Sequence, residues 1–422
     1  MTDLLVIARA VHFAATISVL GTVAFEVCVL TPALRQMVTP ADTPALSRRL
    51  RWLAMLSLIV AVISAAAWLA LFAGAIGAAD ADPWRLGVTV LTQTQFGRVS
   101  LLRLAIAVVL GILIAGPSAI GSARRATMLA LATLFAVGPA ASGHAGAVPG
   151  SAGLLTTGGD VLHIAAASFW LGGLLPLVLV LARARRASDP AWGSLATEST
   201  QRFSLFAIAA VGTLIITGLI NAVMLVGSIE LIFSTPYGRV LAIKIALFFV
   251  MLCFAAVNLL TLTPALPKIP ALAGLQRNTI AEAGLGIAVI TLVGLLGTLP
   301  PAAHHHVQTN DPTSDTAFVH LHGTAGMAEV TITPGHPGPV DVKVSLLAED
   351  FAPLAARSVI LTLSNKSAGF APQLHPATEI EEGRWRVDGL TIPAAGAWDL
   401  VVEADLDGTR KLNLDGPVLI EP

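Results

Sequence analysis

Residues 160–173 read Asp-Val-Leu-His-Ile-Ala-Ala-Ala-Ser-Phe-Trp-Leu-Gly-Gly, and they open a long apolar segment. An acid and a histidine thus lie where the pattern predicts a membrane-spanning helix. An ionisable side chain near the middle of such a helix costs roughly 2.5–3.5 kcal/mol on insertion scales. Asp160 and His163 therefore mark a candidate functional site.

The same phrase occurs earlier in the chain. Residues 9–15, Arg-Ala-Val-His-Phe-Ala-Ala, match residues 160–166, so that His12 falls on His163 and Arg9 falls on Asp160. A second match relates residues 94–99 to residues 235–240. We interpret these matches as two copies of a four-helix unit, about 1–150 and 151–300. Each copy has an even number of helices, so the two share one orientation and form a parallel repeat.

The composition is that of a polytopic membrane protein. Of 422 residues, 55% are hydrophobic and 12% are charged, against about 25% charged in soluble domains, and the mean hydropathy is +0.79. A net charge of -1 without a concentrated basic face argues against nucleic acid as a partner. The lipid bilayer is the expected partner. We predict eight spans: 4–30, 52–76, 98–116, 126–142, 159–182, 203–227, 239–262 and 279–299.

The orientation follows from the short loops. Arginine and lysine concentrate in the loops after the first, third, fifth and seventh spans, which places these loops in the cytoplasm. The N-terminus and the C-terminal domain are then extracytoplasmic. We expect a membrane domain over residues 1–300 and a linker over 301–315. Alternating apolar and polar residues predict an all-β, immunoglobulin-like sandwich over 316–422.

Histidines are the candidate metal ligands, because imidazole is a common ligand of copper. Three of them are expected at or just below the outer membrane surface: His12, His144 and His163. A weaker set follows the last span: His304, His320 and His322. An isolated histidine in a span can instead hydrogen-bond a neighbouring helix. The duplication of one histidine in the two halves favours a functional pair.

Three further residues support this candidate site. Arg9 and Asp160 each lie three residues before a histidine, and hence on the same helical face. They could pair with each other between the halves, or Asp160 could orient His163. Trp170 could shield the metal or fill the interface between the halves.

Two other interpretations remain open. His12 and His163 could ligate one haem axially, as in a b-type redox protein. Alternatively, the chain could be a metal-independent assembly or sensory protein. No catalytic residues are predicted, and we do not expect an enzyme. No Gly-x-x-x-x-Gly-Lys-Ser/Thr run occurs, so ATP-driven pumping by this chain is not expected.

Several spaced motifs resemble the copper-resistance protein D (CopD) family: residues 160–173, the stretch Ser142-Gly-His-Ala and the stretch Thr235-Pro-Tyr-Gly-Arg. The tail, through Gly396-Ala-Trp-Asp-Leu, resembles the YtkA-like or FixH-like extracytoplasmic domain. The resemblance implies copper movement across the bacterial inner membrane, commonly with a periplasmic CopC partner. The amino terminus carries no CopC-like segment, so we expect that partner to be a separate protein.

Overall fold

The structure of the protein, a computed structural model, describes residues 2–40, 42–76, 83–116, 121–142, 150–226, 228–299, 316–323, 326–348, 353–365, 370–408 and 410–421. The chain divides into two compact units. One unit consists of Met1–Ala147 and Ser151–Ala303, and the other of Val148–Gly150 and His304–Pro422.

The first unit is helical. Its described helices are α1 (Thr2–Ala24), α2 (Thr31–Arg35), α3 (Thr43–Ile76), α4 (Pro83–Gln93), α5 (Gln95–Ala115), α6 (Ser122–Val137), α7 (Gly150–Arg186), α8 (Ala191–Val226), α9 (Ile229–Ser234), α10 (Pro236–Val257) and α11 (Ile269–Leu296). A π-helical turn, Phe25–Leu30, joins α1 to α2, and a second, Asn258–Leu262, extends α10.

Seven helical stretches of the described residues are long and apolar enough to cross a membrane: Asp3–Arg35, Thr43–Phe72, Gln95–Ala115, Thr157–Arg186, Ala191–Val223, Pro236–Ala265 and Ile269–Leu296. Large apolar side chains cover their outward faces, including Leu102, Ile112 and Leu219, each more than 60% exposed. Apolar outward faces of this kind are typical of helices that contact lipid. The protein is therefore a multi-pass membrane protein.

The predicted span 126–142 corresponds to α6 and to the 3₁₀ turn Gly138–Ser142 that follows it. With 16 residues, α6 alone is about 24 Å long at 1.5 Å per residue, which is shorter than the roughly 30 Å of hydrocarbon. The 3₁₀ turn adds about 10 Å at about 2 Å per residue. An eighth crossing thus requires both elements.

The helices form two matching groups along the chain, α1, α3, α5 and α6 in the first half and α7, α8, α10 and α11 in the second. Thr94 caps α5 with φ −97° and ψ 152°, and its hydroxyl accepts from the Gly97 N–H at 3.0 Å. Thr235 caps α10 with the same angles and accepts from Gly238 at 3.0 Å. This identity of local geometry supports the predicted duplication.

The first group meets the second where α1 packs against α11, with a Cβ built on Gly294 lying 2.9 Å from the Val6 oxygen, and where α1 crosses α7. A Cβ atom built on Gly21 would lie 2.2 Å from the Gly172 carbonyl carbon, and one built on Gly172 would lie 2.2 Å from the Ile17 oxygen. Only glycine permits such backbone contact, as in the small-residue interfaces of membrane helices. Gly21 and Gly172 each follow their group's histidine by nine residues, so the crossing occurs at the same position in both copies.

The second unit is an eight-stranded antiparallel β domain, a sandwich that approaches a barrel. Its strands are β1 (Ala317–Gly323), β2 (Gly326–Thr333), β3 (Gly338–Leu347), β4 (Ser358–Asn365), β5 (Phe370–Glu381), β6 (Arg384–Ile392), β7 (Gly396–Asp405) and β8 (Lys411–Ile420). The strand order is β1-β2-β3-β6-β5-β4-β7-β8. Alternate residues of each well-buried strand fill one core, with Trp385 and Trp398 as its largest members.

The alternating sequence pattern predicts seven strands, near 317–322, 328–333, 340–347, 357–364, 384–388, 397–404 and 409–414, which correspond to every observed strand except β5. This strand pairs with β4 through residues 370–377 and with β6 through residues 378–381, so it passes from one layer to the other. Most of its side chains are exposed, and it contains Pro372 and Pro376. Without a buried face it has no apolar alternation, and the pattern therefore gives no signal for it.

Candidate functional site

The structure describes only part of the predicted histidine set. His12 lies in α1 and His163 lies in α7. His144 and His304 lie outside the described residues. The backbone of His320 and His322 belongs to β1, where His320 pairs with Glu329 and His322 with Met327 of β2. The structure does not describe the side chains of these two histidines. The membrane site can therefore be built from His12 and His163.

His12 is fully buried and both of its ring nitrogens are engaged. Its Nδ1 lies 2.9 Å from the carbonyl oxygen of Ala61 in α3. A carbonyl oxygen only accepts, so Nδ1 carries the proton and donates it. Its Nε2 then accepts a hydrogen bond from Arg103 Nη1 in α5 at 2.8 Å. The imidazole lone pair of His12 is thus occupied by a guanidinium group.

Arg103 holds this arrangement in place. Its Nε donates to the Phe135 carbonyl oxygen of α6 at 2.9 Å, and its Nη2 donates to Thr16 Oγ1 of α1 at 3.4 Å. The guanidinium carbon also lies 4.6 Å from the centre of the Phe135 ring. One side chain, 7% exposed, therefore ties together three helices of the first half.

His163 has a different environment. Its Nδ1 lies 2.8 Å from Thr217 Oγ1 in α8, and that hydroxyl donates its own proton to the Thr213 carbonyl oxygen at 2.7 Å. The hydroxyl therefore accepts from His163, and Nδ1 carries the proton. Within the described part of the chain, no hydrogen-bond partner engages Nε2. His163 thus presents one fixed tautomer with an available lone pair.

Charged and polar groups surround His163. Asp160, one turn earlier on α7, accepts from Asn221 Nδ2 of α8 at 2.8 Å. Lys244 of α10 lies close enough to interact electrostatically with both Asp160 and His163. The cation therefore has a carboxylate as its neighbour, and no guanidinium occupies the imidazole lone pair.

These contacts define equivalent positions in the two halves. Ser64, whose hydroxyl lies 3.3 Å from His12 Nδ1, corresponds to Thr217. Arg103 corresponds to Lys244, since each lies nine residues after its capping threonine. The positions are shared, but only the second half leaves its histidine open to a ligand.

Arg9 and Asp160 contact separate partners. Arg9 Nη1 donates to the Gly297 carbonyl oxygen at 2.7 Å, and its guanidinium carbon lies 5.0 Å from the centre of the Trp68 ring. Asp160 bonds Asn221 instead. Trp170 is 2% exposed and packs edge-on against Phe248 at 5.8 Å. It therefore fills the core of the second half.

Each histidine hydrogen-bonds helices of its own half, His12 with α3 and α5, and His163 with α8. The described residues contain no group of three or more His, Cys, Asp or Glu side chains that could hold a metal ion. An axial haem would need a free nitrogen on both rings, and Nε2 of His12 is taken by Arg103. The haem interpretation is therefore not favoured.

Sequence reasoning did not assign roles to Arg103, Thr217, Asn221 or Lys244. A signal was present for the two cations, since each follows a repeated capping motif inside an apolar helix, where a charge has a functional or structural reason. Asn221 stands out as an amide inside an apolar run, without an indicated role, whereas Thr217 gives no signal. A hydroxyl or amide in a span is common, and its partner is fixed only by helix packing.

Comparison with known proteins extends this picture. The family model described as copper resistance protein D-like, N-terminal domain, matches residues 1–154, and the model described as copper resistance protein D matches residues 197–296. Together the two ranges cover more than half of the chain. No solved structure matches it significantly.

Three curated proteins are similar to this chain. Copper transport protein CutJ of Bacillus subtilis is 28% identical over 263 residues, which is 60% of this chain but only 45% of CutJ. Inner membrane protein YebZ of Escherichia coli is 26% identical, with 69% of this chain and 97% of YebZ covered. Copper resistance protein D of Pseudomonas syringae is 25% identical, with coverage of 59% and 82%. The chain belongs to the copper resistance protein D family.

Proposed function

We propose that this protein transports copper across the bacterial cytoplasmic membrane, and that copper enters from the outer side through His163. The names of two relatives, a copper transport protein and a copper resistance protein, support copper as the substrate. The name of a third, an inner membrane protein, supports the location.

The observation that carries the proposal is the open nitrogen of His163. A ligating histidine generally donates its other N–H to a fixed acceptor, which sets the tautomer and aims the lone pair. Thr217 accepts from Nδ1 in this way, while Thr213 holds the threonine hydroxyl. Nε2 is then ready for a copper ion without any change of tautomer.

Asp160 and Lys244 adapt this position to a passing cation. A carboxylate attracts the incoming ion, while Lys244 compensates the carboxylate charge when no ion is present. A single imidazole and one carboxylate hold copper weakly, which suits release onward. His144 is proposed as a further ligand, with His304, His320 and His322 as outer contacts.

The orientation in this proposal comes from the arginine and lysine distribution, which puts the N-terminus and the β domain outside. Copper would then reach His163 from the periplasm, where a separate CopC-like protein could deliver it. His12 has a structural role in this scheme, because its lone pair is occupied by Arg103.

The test is copper accumulation in cells that express His163→Ala. Leu162→Ala is the matched control, since this neighbouring side chain is apolar and 56% exposed. We expect H163A to reduce accumulation to the level of cells without the protein, and L162A to behave as the unaltered chain. Equal accumulation by the two variants, at equal amounts in the membrane, would refute the role of His163.

A further inference from the structure

A second polar feature lies in the same half of the bundle, away from His163. A partly open cavity of about 220 Å³ lies between α7, α8, α10 with its π-helical turn, and α11. Most of its wall is apolar, with Trp170 and Phe203 among the large side chains. Its polar lining residues are Thr200, Ser204, Asn258, Thr279 and Glu282.

Glu282 is the only charged residue of this described lining. It is 2% exposed, and Asn258 Nδ2 donates a hydrogen bond to its Oε1. No lysine, arginine or histidine of the lining offers it a positive charge. A buried carboxylate without a cation is costly in a low-dielectric interior, so it must acquire a proton or a cation.

Two neutral polar atoms in the same cavity lining have no hydrogen-bond partner among the described residues. Asn258 Oδ1 and Thr200 Oγ1 are buried and make no hydrogen bond in the described part of the chain. Buried polar atoms of this kind are usually satisfied by water. Since one water needs about 30 Å³, the cavity has room for several molecules. Water there would connect the open oxygens to Glu282.

The local backbone helps to bring Asn258 and Glu282 together. Asn258 begins the π-helical turn that ends at Leu262, and Thr263 Oγ1 donates to the Asn258 carbonyl oxygen at 2.7 Å. Such turns interrupt regular helices and are frequent at functional sites. The turn therefore supports the Asn258 amide at its position against α11.

The carboxylate is absent from the duplicated pattern. Residues 124–127, Arg-Arg-Ala-Thr, match residues 276–279, Gln-Arg-Asn-Thr, so Ala130 occupies the position of Glu282 in the first half. The repeated scaffold folds without an acid at that position. Glu282 thus calls for an explanation other than structural support.

We propose that Glu282 is a proton-binding site, reached through water in this cavity, that couples proton movement to copper transport. The coupling rests on the proposed function. Copper itself does not suit the site, because copper(I) prefers sulfur and imidazole, whereas this lining offers only oxygen. Thr200 and Thr217 are 17 residues apart on α8, or about 25 Å. The proton site and His163 therefore lie at different depths.

The coupling is tested with the full chain in liposomes, by measuring copper uptake with and without an imposed pH gradient. Glu282→Gln keeps the side-chain shape and an oxygen that can accept from Asn258. We expect this variant to take up copper, but to lose the stimulation by the pH gradient. Full stimulation in E282Q, or stimulation by a sodium gradient in place of the pH gradient, would overturn the proposal.

Proton binding is tested separately, without copper. Infrared difference spectra between acidic and alkaline samples should show a protonated carboxyl band in the unaltered chain and lose it in E282Q. If the liposomes take up no copper at all, the proposed function fails, and this band still decides the proton site. An identical band in E282Q would refute it.

The unaltered chain offers a measurement that does not depend on the folding of any variant. A hydrophobic carbodiimide adds to protonated carboxylic acids in apolar surroundings, and mass spectrometry locates the adduct. We expect labelling at Glu282 that falls as the pH rises. Labelling elsewhere in the bundle but not at Glu282 would count against the proposal.

Discussion

Replacing Gly172 by alanine adds one methyl group at the point where α1 and α7 touch. The new Cβ would lie 2.2 Å from the Ile17 carbonyl oxygen, whereas ordinary contact begins near 3.4 Å. The two helices must therefore separate by about 1 Å or bend, and overpacking of this kind costs about 1–3 kcal/mol. Because this contact joins the two halves, we expect G172A to weaken the whole helical unit.

The matched control is Gly212→Ala in α8, where a new Cβ meets nothing within 4 Å. Both variants gain the same helix propensity, about 1 kcal/mol for glycine to alanine. The difference between their free energies of unfolding in detergent therefore isolates the packing cost, about 1–3 kcal/mol. Gly21→Ala should repeat the result of G172A. Equal unfolding of G172A and G212A would show that the backbones do not meet there.

Two further predictions concern the basic residues. Arg103→Ala removes the donor to His12 Nε2 together with the hydrogen bonds to Phe135 and Thr16. We expect the unfolding free energy to fall by at least about 1.5–3 kcal/mol, since a single hydrogen bond to a charged group contributes that much. An unchanged denaturation midpoint would contradict these contacts. Lys244→Arg gives the second half the guanidinium that the first half has at Arg103. We expect this guanidinium to donate to His163 Nε2 and to lower copper accumulation without loss of stability. Normal accumulation would argue against an open nitrogen as the entry point.

Much of the helical unit could be predicted from the sequence, because spans and repeats depend on local composition. The match of residues 9–15 with 160–166 locates the two histidines at equivalent positions, and the capping threonines Thr94 and Thr235 have the same backbone angles. The eighth span was harder to define, since α6 reaches the required length only with its 3₁₀ turn. Hydropathy depends on composition, so it does not indicate where an α-helix such as α6 continues as a 3₁₀ turn.

The site itself could be predicted only in part. The sequence indicates that His12 and His163 occupy like positions, but each hydrogen bond depends on which side chain of α3, α5 or α8 faces the ring. Arg103 donates a hydrogen bond to His12 Nε2. Lys244, at the corresponding position, makes no such hydrogen bond to His163 Nε2 among the described residues, so that nitrogen stays open. The Asn258–Glu282 contact likewise joins two helices. No spacing rule within one helix encodes it.

The duplication gives a physical reason why the nitrogen of His12 is occupied while that of His163 is open. Two identical halves, each with an occupied histidine, would form a stable bundle without a ligand position, and two open histidines would leave both halves with unsatisfied buried nitrogen. The first half instead uses Arg103 to join α1, α5 and α6 by hydrogen bonds, and α1 also meets α7 at the Gly21–Gly172 crossing. Because those hydrogen bonds do not depend on a ligand, the second half can keep one imidazole nitrogen without a hydrogen-bond partner and the Glu282 carboxylate without a cation. The features we propose for transport, at His163 and Glu282, accordingly both lie in the second half.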